Sequence, residues 1–247
     1  MTVSKITLAL AAAASALIAA PAFAQDAPSD AFTITGSVGG VSDYRYRGIS
    51  QTDEKFAVQG SININHESGF YVGAWASNVD FANSSELDVY GGFTKEFNGI
   101  TGDVGVYGYL YPGANSSLSY YEVYGSVKGE VGPGSLKLGV NYAPKQDNTR
   151  NGLTGDKEDN FYVYGDASVG IPNTPFTLRG HAGRSFGDSS LTFSGHDYWD
   201  YNVGADYTYK NLTFGVTYVD TNVKKSAYYV DHDTVDDRVI VSVTAAF

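Results

Sequence analysis

The residues of this chain whose types could do chemistry fall into two sets. The first is local: Gly183-Arg184-Ser185-Phe186-Gly187 matches G-x-S-x-G, and His181 lies nearby. A serine nucleophile in that motif sits on a strand-turn-helix elbow, and nothing after Gly187 reads as a helix. His66, His196 and His232 fall in predicted turns or loops, and the chain has no Cys, so the metal-ligand signal is poor. The acidic runs Asp156-Lys157-Glu158-Asp159 and Asp231, Asp233, Asp236, Asp237 offer oxygens to a divalent cation near lipopolysaccharide, but they lack the glycine and the spacing of an EF-hand loop. They read as solvated loops. No catalytic residue, cofactor or metal site follows from this set.

The second set is spread through the chain and periodic. Asp88, Tyr90, Asp103, Tyr107, Tyr109, Glu122, Tyr124, Lys128, Lys137, Tyr162, Tyr164, Asp166, Arg179, Asp200, Asp206 and Arg238 stand opposite apolar stripes at alternate positions. Charges of both signs facing one wet space make a transverse field that orients polar solutes and excludes apolar ones. The tyrosines add hydroxyls and ring faces. Arg45 and Arg47 join them as candidate constriction cations, in a stretch whose facing the alternation leaves open; at least one of them can pair with an acidic loop instead. All are pore-lining candidates only if strands place them on one inner surface. If they pair and fill that interior, the same residues make a plugged, structural barrel.

Alternation with period two supplies such strands. In residues 238–247, Val239, Val241, Val243, Ala245 and Phe247 share one face, and Arg238, Ser242 and Thr244 share the other. Residues 56–66 alternate as clearly, and matching stripes run through 87–94, 103–110, 121–128, 136–142, 161–169, 176–182, 199–209 and 212–218. Two further strands are less defined. One spans about 32–46, with a bulge expected at Gly39-Gly40, and the other spans 70–81, with aromatics on both faces. Twelve strands result, of the length that a tilted membrane strand requires.

The N-terminus carries Lys5, an apolar run over 6–20 and then Pro21-Ala22-Phe23-Ala24. That order predicts a cleaved signal peptide over 1–24, a leader over 25–31 and one barrel domain over 32–247. After residue 24 no apolar run approaches the about twenty residues of a membrane helix. With 29 Gly, 20 Tyr, 13 Phe and one Met, composition favours strands and turns over helices. The net charge of −11 argues against nucleic acid as a partner, and loss of Lys5 with the signal peptide makes it more acidic still.

Connections give an independent expectation, because outer-membrane barrels pair short periplasmic turns with longer outer loops. Residues 66–69, 98–99, 131–134, 172–175 and 210–211 read as tight turns. Residues 144–159, 185–197 and 220–237 are long and polar. Phe97, Phe176, Tyr209 and Phe247 fall at the short-turn end, and Phe56, Tyr142, Phe161 and Tyr218 at the other, as two interfacial girdles.

The segment Val41-Ser42-Asp43-Tyr44-Arg45-Tyr46-Arg47-Gly48-Ile49-Ser50-Gln51-Thr52, followed by Ala57-Val58-Gln59-Gly60-Ser61 and by residues 69–79 from Gly69 to Val79, resembles the TorF family of porins, proteobacterial outer-membrane proteins. The resemblance implies a pore and names no catalytic or ligand residue. The expectation is therefore an all-β, transmembrane, antiparallel up-and-down β-barrel in a Gram-negative outer membrane, passing small hydrophilic solutes through a narrow water-filled bore. Its partners would be outer-membrane lipid and lipopolysaccharide, its solutes, and the barrel assembly machinery through Phe247. A lipase on a twelve-stranded barrel is disfavoured, because His181 lies on the lumen side.

Overall fold

A computed structural model describes residues 31–81, 85–114, 118–192, 196–223 and 232–247. The expected signal peptide, nearly all of the leader, and Asp231 lie outside the described residues. Fourteen strands follow one another: β1 Phe32–Val41, β2 Arg45–Tyr46, β3 Ile49–Ser50, β4 Ala57–His66, β5 Phe70–Asn78, β6 Ser85–Phe97, β7 Ile100–Leu110, β8 Tyr120–Val131, β9 Gly134–Ala143, β10 Asn160–Gly170, β11 Phe176–Phe186, β12 Tyr198–Tyr209, β13 Leu212–Thr221 and β14 Arg238–Ala246. Twelve of them close an antiparallel barrel in which β1 lies between β14 and β4, while β2 and β3 pair only with each other. The described residues include two complete 3-10 turns, Ser190–Thr192 and His232–Val235, and no helix among them is long and apolar enough to cross a membrane.

The alternation becomes two surfaces with opposite chemistry. Val239, Val241 and Val243 on β14, Val58, Ile62 and Ile64 on β4, and Leu136, Leu138 and Val140 on β9 all stand exposed on the outside. Asp88, Asp103, Glu122, Asp200 and Asp206 are buried inside, beside Tyr90, Tyr107, Tyr109, Tyr162 and Tyr164. In a soluble sheet protein the burial would be reversed, and an outside this apolar is suited to lipid.

The aromatics complete both rims. Phe97, Phe176, Tyr209 and Phe247 are exposed at one end, and Phe56, Phe161 and Tyr218 at the other. The ring of Tyr142 packs at a tilt beside Phe161 with centroids 4.5 Å apart.

Two expectations about the wall are corrected. The first strand ends at Val41 rather than near 46, and its register with β4 runs unbroken from Phe32↔His66 to Val41↔Ala57, so Gly39-Gly40 holds no bulge. At Ser42 the backbone N–H still donates to Val241 O at 2.9 Å, but beyond it the chain turns into the barrel. On β5, which stops at Asn78, Phe70, Val72 and Ala76 face out and Tyr71, Trp75 and Ser77 face in. His66 is the last residue of β4 rather than a turn residue, and its Nδ1 meets Ser68 Oγ at 2.7 Å.

All five tight connections contain a residue of left-handed backbone: Gly69, the pair Asn98 and Gly99, Gly132, Asn173 and Lys210. That conformation matches the twist of the flanking strands and favours Gly and Asn.

Closure happens where the last residue meets the first strand. The Gly36 N–H donates to Phe247 O at 2.8 Å and the Phe247 N–H to Gly36 O at 2.9 Å. The Phe247 ring lies over Gly36, where an added Cβ would sit 2.6 Å from a ring carbon. Gly60, also outward, leaves 3.5 Å to its nearest neighbour at the same position. Gly36→Ala is therefore expected to lower barrel stability by about 1–3 kcal/mol through overpacking, while Gly60→Ala is neutral. Unfolding midpoints in detergent, read from unheated gel migration, compare the two; equal midpoints would mean that the ring does not secure the seam.

Candidate functional site

Fifteen residues separate Val41 from Ala57, and they fold into the barrel rather than over it. Arg45 pairs with Ser50 and Tyr46 with Ile49 in a small hairpin. Its two-residue tip, Arg47-Gly48, has φ of 47° and 83°, the sign that a tight primed turn demands. The hairpin is fastened internally. Asp43 takes Arg45 Nε at 2.7 Å and Ser50 Oγ at 2.6 Å, and Arg45 Nη1 also reaches Gly48 O at 3.1 Å.

The tip crosses the bore. Arg47 Nη2 lies 2.6 and 2.7 Å from the two oxygens of Glu122 on β8, and Nη1 donates to Asn160 Oδ1 on β10 at 3.2 Å. The guanidinium also stacks 4.1 Å from the Tyr162 ring centroid, a favourable cation–π geometry. Glu122 is 0% exposed and further accepts from Tyr109 at 3.1 Å and Asn141 at 2.8 Å. Gly48 touches the wall at β12 and β13, where a Cβ would fall 2.9 Å from Asp200 Cβ and 3.0 Å from Thr221 Cβ. At the outer end, Arg45 Nη1 donates to Asp236 O at 2.5 Å, and Arg238 pairs with Glu54.

Below and beside the hairpin the interior is asymmetric. On the β5–β8 side, Tyr71, Trp75, Tyr90, Tyr107, Tyr109 and Tyr120 pack with Tyr44 of the hairpin segment into one cluster. Several of these rings lie over a glycine on the next strand: Tyr90 over Gly73, Tyr71 over Gly92, Tyr124 over Gly105. Their hydroxyls serve buried carboxylates, with Tyr107 donating to Asp88 at 3.0 Å, Tyr71 to Asp103 at 2.7 Å and Tyr44 to Glu86 at 3.1 Å.

On the β9–β14 and β1 side an open cavity of about 340 Å³ remains. Its wall includes Lys137, Tyr164, Asp166, Arg179, His181 and Asp200. His181 Nδ1 meets Asp166 Oδ1 at 2.6 Å and Nε2 meets Asp200 Oδ1 at 3.1 Å. Arg179 Nε donates to Asp206 at 2.9 Å.

The pore-lining candidates of the sequence analysis thus divide by position. Arg45, Tyr109, Lys128, Lys137, Tyr162, Tyr164, Asp166, Arg179 and Asp200 border the cavity. Asp88, Tyr90, Asp103, Tyr107, Glu122 and Tyr124 belong to the packed half, Asp206 stands behind Arg179, and Arg238 holds Glu54 near the outer rim. Arg45 and Arg47 are both in the bore, as constriction cations would be, but each is neutralised by a carboxylate. Sequence reasoning missed the hairpin and its anchor Asn160. The available signal was Arg47-Gly48 between Tyr46 and Ile49, inside a polar stretch without alternation.

Ser185 of the G-x-S-x-G match is a fully buried residue within β11, so no elbow forms there. The acidic run at 156–159 spends Lys157 on Asp147 at 3.0 Å and Glu158 on Lys145 at 2.8 Å.

A family profile matches residues 25–247, with the description "bacterial protein of unknown function (Gcw_chp)". The chain belongs to the Gcw_chp family. No curated protein matches it. Among solved structures, the Gcw_chp barrel is similar in fold to the NanC porin, with TM-score 0.60 and 12% identity over 86% of this chain and 98% of that one. It is also similar to an outer-membrane channel from Pseudomonas putida F1, with TM-score 0.53 and 8% identity over 90% and 100% of the two chains. At such identities the likeness concerns the fold. The family match carries the Gcw_chp description and not the TorF name.

Removing either partner of the Arg47–Glu122 pair leaves the other charge buried and alone, which costs about 3–5 kcal/mol. Arg47→Ala and Glu122→Ala are each expected to destabilise the folded barrel on that scale, and the double variant by much less than their sum. Denaturant unfolding of the three variants in detergent measures the coupling. Additive losses would show that the two side chains do not act together.

Proposed function

We propose that this Gcw_chp protein is an outer-membrane channel of a Gram-negative bacterium that lets small hydrophilic solutes diffuse passively, as the TorF resemblance implies. The observation that carries this reading is the polar cavity along one side of a barrel whose outside is apolar. A bore that served only to hold the wall together would have no use for an unfilled half lined by charged and amide groups. The hairpin tipped by Arg47-Gly48 acts as the constriction, and solutes pass between it and the β9–β14 wall. The path is narrow, in keeping with twelve strands and a lumen already half occupied by tyrosines.

Residues 1–24 direct export and are removed, the exposed stripes meet outer-membrane lipid and lipopolysaccharide, and the C-terminal strand ending in Phe247 is read by the barrel assembly machinery. The protein works without catalysis. A second reading, a plugged structural or adhesive barrel, is favoured by one observation: the hairpin reaches from one wall to the other.

Single-channel recording in planar bilayers separates the two. The wild-type barrel is expected to give small, discrete conductance steps, and Arg47→Ala combined with Glu122→Ala is expected to give larger ones as the hairpin loses its hold. Silence from protein that shows heat-modifiable gel migration would leave the plugged reading in place of the channel.

A further inference from the structure

Strand register sets the cavity wall in transverse rows. One row runs Lys128, Lys137, Asp166, His181 and Asn202 from β8 to β12. The row next to it, nearer the short turns, runs Ser135, Ser168 and Arg179 from β9 to β11. Nearly every charge in and above these rows has a partner. His181 is shared by Asp166 and Asp200, Arg179 is held by Asp206, and Arg45 and Arg47 are held by Asp43 and Glu122.

Lys137 is different. It borders the cavity, its Nζ lies 5.6 Å from the Tyr164 ring centroid, and among the described residues no carboxylate comes within ion-pairing distance of it. Directly across the β8–β9 pair stands a second lysine, Lys128. The only carboxylate paired with Lys128 among the described residues is Glu130, at 3.3 Å and with 67% of its side chain exposed, an arrangement that contributes little in water.

Two like charges opposite each other in a sheet repel and destabilise the pairing. An anion seated between them turns that repulsion into attraction. Hydroxyls stand beside them, since Ser135 and Ser168 occupy the neighbouring row with their Oγ atoms 2.9 Å apart. Of the carboxylates of the tyrosine half, Glu86, Asp88 and Glu122 are each at most 2% exposed and none borders the cavity, while Asp103 acts on Lys137 only from beyond ion-pairing distance and is bonded to the Tyr71 hydroxyl at 2.7 Å. Asp166, the nearest acid in the row, is committed to His181.

We propose that Lys128 and Lys137 form an anion-binding step in the bore, which selects small organic anions bearing a carboxylate over cations and neutral solutes of similar size. This inference rests on the channel reading and specifies its solute class. Ammonium groups suit the role, because they are compact point charges on flexible stems that can follow a moving anion.

The test is a bilayer recording of the full barrel in a KCl gradient, followed by addition of sodium gluconate. The wild type is expected to prefer chloride over potassium, and gluconate is expected to reduce the chloride current. Lys137→Glu should shift the reversal potential toward cation preference severalfold in permeability ratio. The double variant Lys128→Gln with Lys137→Gln, which adds no charge to the wall, should lose the gluconate effect. Lys55→Gln, at the exposed outer rim, should change neither. Channels that conduct but whose reversal potential and gluconate response ignore the lysine substitutions would overturn the anion step and leave the channel standing. Absence of current from heat-modifiable wild-type protein would remove the channel reading, and the anion step with it.

Discussion

Backbone polarity is the constraint from which the rest of this structure follows. In hydrocarbon an unpaired N–H or C=O costs several kcal/mol, so a sheet facing lipid has to have no edge. Here the edge is removed by joining β1 to both β4 and β14, and the last hydrogen bonds of that seam are made by the terminal residue, Phe247, with Gly36. Once the cylinder is closed, side-chain alternation has only one meaning: one face belongs to the outside and the other to the bore. The placement of every charge in the interior depends on that closure.

Inside, the protein resolves the problem of a twelve-stranded bore unevenly. A barrel this size is too wide to be filled by short side chains and too narrow to be left wholly open. Tyrosines over glycines fill the β5–β8 side, with their hydroxyls on buried carboxylates, and the Arg47 hairpin braces that packed half against β10, β12 and β13. The remaining side stays polar and unfilled. Aromatic mass and buried ion pairs thus supply rigidity in one sector, leaving the other sector open.

The wall was legible in the sequence and the interior loop was not, for reasons that lie in the range of the interactions. Alternation is a local signal, so residues such as Val58, Ile62 and Ile64, or Asp200 and Asp206, revealed their faces from neighbours two positions away. Turn chemistry at Asn98-Gly99 is equally local. Residues 42–56 have no such period. Arg47 is oriented by Glu122, 75 positions along the chain, and Arg45 by the Asp236 carbonyl, 191 positions along, and neither partnership leaves a mark near Arg45 or Arg47. The same limit explains the first strand, which ends at Val41 rather than near 46, because the partners that hold Tyr44 and Tyr46 inside, Glu86 and Tyr109, lie far along the chain. Of the candidate site, the inward set of charged residues and tyrosines was readable. How that set divides between a packed half and an open half depends on register across strands, which no single strand encodes.

The distances in sequence that tie down the hairpin also dictate an order of events. The segment that carries Arg45 and Arg47 is among the first parts of the barrel to leave a ribosome, yet its anchors come from β8, β10 and the loop before β14. Those anchors therefore cannot form until nearly the whole chain has been delivered, although the hairpin's own bonds among Asp43, Arg45 and Ser50 need only local sequence. A barrel in which Arg47 has not yet reached Glu122 and Asn160 would have a wider bore than the finished protein.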